Sequence, residues 1–120
     1  MKVAFDLDDT ITLQPTQCEA IASAMTAAGH HVLILSGAEL PDATKEQRDE
    51  CYRQKSELAK SKGFSEVVVA FIRNSNEAAA FKAGYCQAAG IDIVIDDNPK
   101  YIDAIKKACP GILALHLRKP

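Results

Sequence analysis

A chain of 120 residues that is 48% apolar and 25% charged has room for one domain with a real core and little else. Its net charge of −2 gives no global pull toward nucleic acid or an anionic membrane, and no apolar run approaches the ~18 residues of a membrane span. With no basic-then-apolar leader before the first strand a cytoplasmic protein is expected, and Cys18, Cys51, Cys86 and Cys109, too scattered for a zinc site, are expected to be reduced.

Val3, Ala4, Phe5 and Leu7 read as a short buried strand of the kind found inside a parallel sheet, and acid stands at its end: Asp6, Asp8 and Asp9, followed by Thr10. On an extended strand successive side chains alternate faces and rise ~3.3 Å each, which would set Asp6 and Asp8 on one side, roughly 6–7 Å apart. Carboxylates that close at a buried tip call for a raised pKa, a neighbouring cation or a bound metal. An irregular link over Thr10–Gln14 leads to Pro15, suited to a first helical turn, and a helix over Thr16–Ala28 closes at Gly29. Val32–Leu35 is a second apolar strand, ended by Ser36-Gly37, so the two strands are expected to be parallel.

A loop over Ala38–Asp42, with Asp42 as N-cap, starts a long polar helix to about Lys62, stopped by Gly63. Its apolar stripe is thin: Cys51, the stem of Lys55, Leu58 and Ala59. Glu66–Ile72 is a β-branched third strand, Arg73–Asn76 a polar loop, and Glu77–Ala89 a helix weakened at Gly84 and capped at Gly90. Ile91–Ile95 is the fourth strand and runs into Asp96-Asp97-Asn98-Pro99, where Asn98 caps a helix extending through Cys109. Pro110-Gly111 turns the chain into a fifth strand, Ile112–Leu117.

Five strands alternating with four helices, most strands apolar on both faces, predict a three-layer α/β/α sandwich with a five-stranded parallel, Rossmann-like sheet over one domain, residues 1–120. Ligands in such folds sit beyond the C-terminal ends of the strands. Those ends carry Asp6 and Asp8, Ser36, Arg73 and Asn74, and Asp96 and Asp97. Two acidic pairs converging on one sheet edge would repel severely without a divalent cation, and Mg²⁺ is the ion that prefers hard oxygen ligands and bridges carboxylates to phosphate.

Asp6-Leu-Asp-Asp-Thr10 resembles the first motif, D-x-D-x-T, of the haloacid dehalogenase superfamily of phosphohydrolases. Ser36 is similar to its second motif, Lys82, fifteen residues before Asp97, to its third, and Asp96-Asp97 to its acidic fourth, so the resemblance spans essentially the whole chain. The resemblance implies a Mg²⁺-dependent phosphatase. Asp6 would be the nucleophile that forms an aspartyl-phosphate, and Asp8 the general acid and then base, with its backbone carbonyl on the metal. Ser36 would hydrogen-bond a phosphoryl oxygen and Lys82 would neutralise charge, with Arg73 as its competitor for that role. Asp97 would ligate the metal beside Asp6, and Asp96 would act on its water shell. The segments after the first motif and after the third strand are too short for the cap domain many members carry. An open site of that kind goes with large substrates or with oligomers whose neighbour serves as lid.

The resemblance implies a phosphorylated substrate, a small molecule or a macromolecular end; a nucleotide, a sugar phosphate and a nucleic-acid end all stay open, the last without support from net charge. Two other classes compete. A receiver domain shares the length, the alternation and a Lys119-Pro120 near the last strand, but needs its phosphoacceptor Asp at the end of the third strand, where Phe71-Ile-Arg-Asn74 stands. A catalytically silent binding module would be expected to have lost Asp6 or Asp8, and both are present.

Overall fold

The computed structural model describes residues 1–118, so the Lys119-Pro120 pair lies outside the described residues. The strands are β1 (Lys2–Phe5), β2 (His31–Ala38), β3 (Glu66–Phe71), β4 (Ile93–Asp96) and β5 (Leu113–His116). Between them run the helices α1 (Pro15–Ala27), α2 (Lys45–Ser61), α3 (Ser75–Ala89) and α4 (Pro99–Ala108). All strand pairings are parallel, in the order β3-β2-β1-β4-β5, which puts β1 at the centre and reverses direction beside it. The fold is the α/β sandwich with a five-stranded parallel sheet that the alternation of elements predicts.

Strand parity assigns the two faces. Val3 and Phe5, Val32 and Ile34, and Ile95 pack with Cys18 and Ala22 of α1 and Ala59 of α2. Ala4, Leu33, Leu35 and Val94 pack on the other face with Ala83 and Cys86 of α3 and Ile102 and Ile105 of α4. Phe5 is fully buried and meets Phe64 edge to face at 5.4 Å. Burying a side chain of that size contributes roughly 1.5–3 kcal/mol relative to leaving it exposed. The four thiols are free, and burial pushes those of Cys18 and Cys86 upward, as suits small apolar packing groups.

Several boundaries differ from those read in the sequence. The first strand stops at Phe5, although the Asp6 amide still donates to the Ile95 carbonyl at 2.9 Å. Leu7–Ile11 then forms a wide, kinked turn rather than a regular helix: Asp8 is extended (φ −72°, ψ 129°) and Asp9 adopts φ 62°, a left-handed conformation that aspartate tolerates better than most residues. Strand spacing therefore does not govern Asp6 and Asp8. The second strand does not end before Ser36: Ser36, Gly37 and Ala38 continue it, paired with Val69, Ala70 and Phe71. Gly37 fits there because a Cβ would lie 3.1 Å from the Ile72 side chain.

Thr44, not Asp42, caps α2. Its hydroxyl accepts from the Gln47 amide while the Gln47 side chain accepts from the Thr44 amide, a reciprocal box legible in the Thr-x-x-Gln spacing. Asn74 caps α3, so that helix takes in Ser75 and Asn76 from the expected loop. Residues 6–14 link β1 to α1 and residues 72–74 link β3 to α3, and neither segment holds a further domain. Among the described residues no helix is long and apolar enough to cross a membrane.

Candidate active site

Phe5 of β1 lies level with Ile95 of β4, so the next residues, Asp6 and Asp96, stand side by side at two adjacent strand ends. Parity turns both toward the layer of α3 and α4, and Lys82 comes from α3 to meet them. Its ammonium donates to Asp6 Oδ1 at 2.8 Å and to Asp96 Oδ2 at 2.7 Å, lies 4.7 Å from the centre of the Tyr101 ring, and is only 2% exposed. Asp96 Oδ1 accepts from the Asn98 amide at 3.0 Å, so both of its oxygens are engaged within the protein.

Thr10, fully buried on the wide turn, ties the acids to one another. Its hydroxyl lies 3.1 Å from Asp6 Oδ2 and 3.2 Å from Asp97 Oδ1, and its one proton serves either or both. Carboxylate oxygens of Asp6, Asp96 and Asp97 lie within 4.8 Å of one another. Three hard oxygen donors at that spacing fit a small divalent cation such as Mg²⁺. The carboxylate of Asp8 is not in this group. Its side chain is 66% exposed, and its Oδ2 lies 3.7 Å from the Lys55 ammonium.

Asp6, Asp8, Asp97, Lys82 and Tyr101 line one cleft of about 450 Å³, together with Gly37, Glu39, Cys51 and Lys55. Arg73 does not reach it: the side chain is 79% exposed and pairs with Glu77 one turn along α3. The cation competing with Lys82 for the site is thus out of place, because standing at a strand end fixes a residue's position and not its direction. Lys55, which reads in the sequence only as an apolar stem on α2, lines the cleft and donates to Ser36 Oγ at 3.0 Å. Ser36 leans toward α2 because Val32 and Ile34 of the same parity pack on that layer. A lysine on the inner stripe of α2, opposite a strand-end serine, was the available signal. His31 pairs with Glu66 at the other end of the sheet, away from the cleft.

One ammonium serving two buried carboxylates leaves a negative charge in excess. Burial, with Asp96 adding to it, pushes Asp6 up to about 7 against the pull of Lys82. Asp96 is raised by burial too, while Lys82 resists its own burial and is held above the usual lysine value by the two carboxylates. The sign for stability follows. A carboxyl whose folded value exceeds its unfolded 3.8 contributes stability that is complete below that value and is lost as the pH rises through about 7. Measured relative to Asp6→Asn, the metal-free protein should therefore lose about 2 kcal/mol, or ~5–8 °C of melting temperature, between mildly acidic and mildly alkaline buffer. Thermal melts of both proteins in chelator across that range check this; a constant difference would contradict it.

No protein-family model matches the chain, and no curated protein sequence matches it. In fold it is similar to a chain of the Pnkp1/Rnl/Hen1 RNA repair complex, with a TM-score of 0.68 and 15% identity over 98% of this chain and 42% of that one. It is also similar to the N-terminal part of the protein BF1531 from Bacteroides fragilis, which contains a phosphatase domain and is complexed with Mg. There the TM-score is 0.61 and the identity 14%, over 98% of this chain and 36% of that one. A universal stress protein in complex with cAMP matches with a TM-score of 0.59 and 10% identity, over 100% and 98% of the two chains. The chain thus spans less than half the length of the first two, and at these identities the likeness is one of fold.

Proposed function

We infer that the protein is a Mg²⁺-dependent phosphohydrolase of the haloacid dehalogenase type, cleaving phosphomonoesters through Asp6. The observation that carries this reading is the meeting of Asp6, Asp96 and Asp97, from two separate strand ends, around a buried lysine in an accessible cleft. Phosphoryl transfer asks a protein chiefly for positioning and for charge, and this cleft offers both. The fold likeness to a protein containing a Mg-complexed phosphatase domain is consistent with it.

In this reading an Asp6 oxygen attacks phosphorus, the bond from phosphorus to the ester oxygen breaks, and Asp8 gives its proton to the departing alkoxide. Water then attacks phosphorus, Asp8 takes the proton of that water, and the Asp6 carboxylate is released with inorganic phosphate. Asp8 suits proton exchange with bulk solvent because its side chain is mostly exposed at the cleft mouth. Lys82 holds Asp6 in place through the 2.8 Å contact and offsets its charge. Ser36, whose hydroxyl proton has among the described residues only the Gly37 carbonyl at 3.5 Å as acceptor, donates to a phosphoryl oxygen. Asp6 and Asp97, supported by Asp96 and the Asp8 carbonyl, would hold a divalent cation, which would supply positive charge to the phosphoryl oxygens.

A small phosphomonoester is favoured over a polynucleotide end. The cleft is rimmed by Asp8, Asp9 and Glu39, and the neighbouring groove along α2 carries Asp42, Glu46 and Glu50. A strand of phosphates would meet repulsion there where polynucleotide binding needs cations. Phosphate release from p-nitrophenyl phosphate, nucleotides and sugar phosphates should require Mg²⁺ and should fall at least ~10²-fold in excess chelator. Turnover that persists in chelator would remove the mechanism.

A further inference from the structure

Lys82 is committed chiefly to the carboxylates. Its ammonium is buried, already donates to Asp6 and Asp96, and faces the Tyr101 ring. The charges around it show what is left over. Its single positive charge is matched by two carboxylates, Asp6 and Asp96, so it leaves no net positive charge for a phosphomonoester dianion, which Asp8 and Glu39 on the rim oppose.

Lys55 is placed to correct this. It rises from α2, on the opposite face of the sheet from Lys82, and lines the same cleft as Asp6. Its side chain is 15% exposed, so the stem is packed and the head reaches the cleft. Ser36 Oγ accepts one of its protons at 3.0 Å, which fixes the ammonium beside Ser36, two residues before β2 ends. Among the described residues the other polar partner is the Asp8 carboxylate at 3.7 Å, too distant for a tight hydrogen bond and mostly solvated. At least one of the three ammonium protons is therefore available to an incoming anion.

We propose that Lys55 is the phosphoryl-binding cation of this cleft: its ammonium, anchored by Ser36, contacts a non-bridging oxygen of the phosphoryl group opposite the Lys82 side. The proposal rests on the phosphohydrolase reading for its substrate, but its direct prediction concerns binding of an anion. Lys55 contributes charge to the substrate, and Lys82 contributes charge to the nucleophile. The two lysines are not interchangeable.

The probe is inorganic phosphate, titrated calorimetrically into the intact chain with saturating Mg²⁺, beside KM and kcat for any phosphomonoester that is turned over. Lys55→Met, which keeps the stem and removes the charge, should weaken phosphate binding at least ~10-fold and raise KM in step, whereas Lys55→Arg should recover most of the affinity. Mg²⁺ affinity measured without phosphate should stay within about threefold of wild type, a result a general collapse of the site would not give. If Lys55→Met does not fold, Lys55→Gln, which still donates to Ser36 without the charge, takes its place. Phosphate affinity and KM unchanged in the folded variant would overturn the proposal and leave the hydrolase reading intact. No phosphate binding by the wild type would overturn it as well. Phosphate binding lost in the variant, with no ester hydrolysed by the wild type, would uphold the anion site and count against the hydrolase reading.

Discussion

Replacing Lys82 with methionine is expected to lower the melting temperature of the metal-free protein by about 10–20 °C near neutral pH, the largest loss of stability from any single change at the site. Among the described residues the lysine is the one counter-charge in direct contact with Asp6 and Asp96, two buried carboxylates on neighbouring strand ends. Removing one member of a buried ionic group typically costs 3–5 kcal/mol, because the charges left behind have neither water nor a partner. Against a total stability of roughly 5–15 kcal/mol, that is a third or more of the whole. The carboxyls can escape by taking up protons, so the loss should shrink in acid. It should shrink again when Asp96→Asn is combined with Lys82→Met, since one of the orphaned charges is then gone. Melts of the single and double variants in chelator at two pH values make the comparison. A fall of only a few degrees for the single variant, insensitive to pH, would mean that Lys82 matters for its packing and not for its charge.

Asp6→Asn should separate activity from stability. Turnover should fall by at least ~10⁴-fold, because an amide oxygen does not attack phosphorus and the other carboxylate paired with Lys82 among the described residues, Asp96, has both oxygens engaged. Stability of the metal-free protein should rise at mildly alkaline pH. The asparagine oxygen can still accept from Lys82, and its amide can donate to the Thr10 hydroxyl, which in turn donates to Asp97. The network stays satisfied with one buried charge fewer. Parallel measurement of phosphate release and melting temperature tests both halves. Residual turnover above about one per cent of wild type would deny Asp6 the nucleophile's role.

Much of this arrangement is legible in the amino-acid sequence because it depends on local rules. Apolar runs punctuated by Gly29, Gly63 and Gly90 mark where helices hand over to strands, and acids at the ends of apolar strands mark the edge where a ligand would sit. What was not legible depends on direction. Arg73 and Lys82 both lie near the acids in the reading of the chain, but only a helix packed against the sheet aims one of them inward. The wide turn at Leu7–Ile11 is invisible to periodicity because Leu7 and Ile11 are apolar and buried whichever backbone they adopt. Lys55 was hidden for the opposite reason: a long stem on a helix stripe reads as packing, and its charged end is committed only by the position of Ser36 across the layer boundary. The continuation of β2 through Gly37 escaped for want of its neighbour, since a glycine ends a strand by default unless another chain segment, here Ile72, needs the space.

The sheet separates the two ammonium groups by their origins. Lys55 descends from the α1 and α2 layer and Lys82 from the α3 and α4 layer, and both line the cleft beyond the end of β1. If the cleft carries the proposed chemistry, it would work as a caliper between the two helical layers: slippage of either jaw by about an ångström would pull one lysine from its oxygens, so turnover would register the seating of both layers at once.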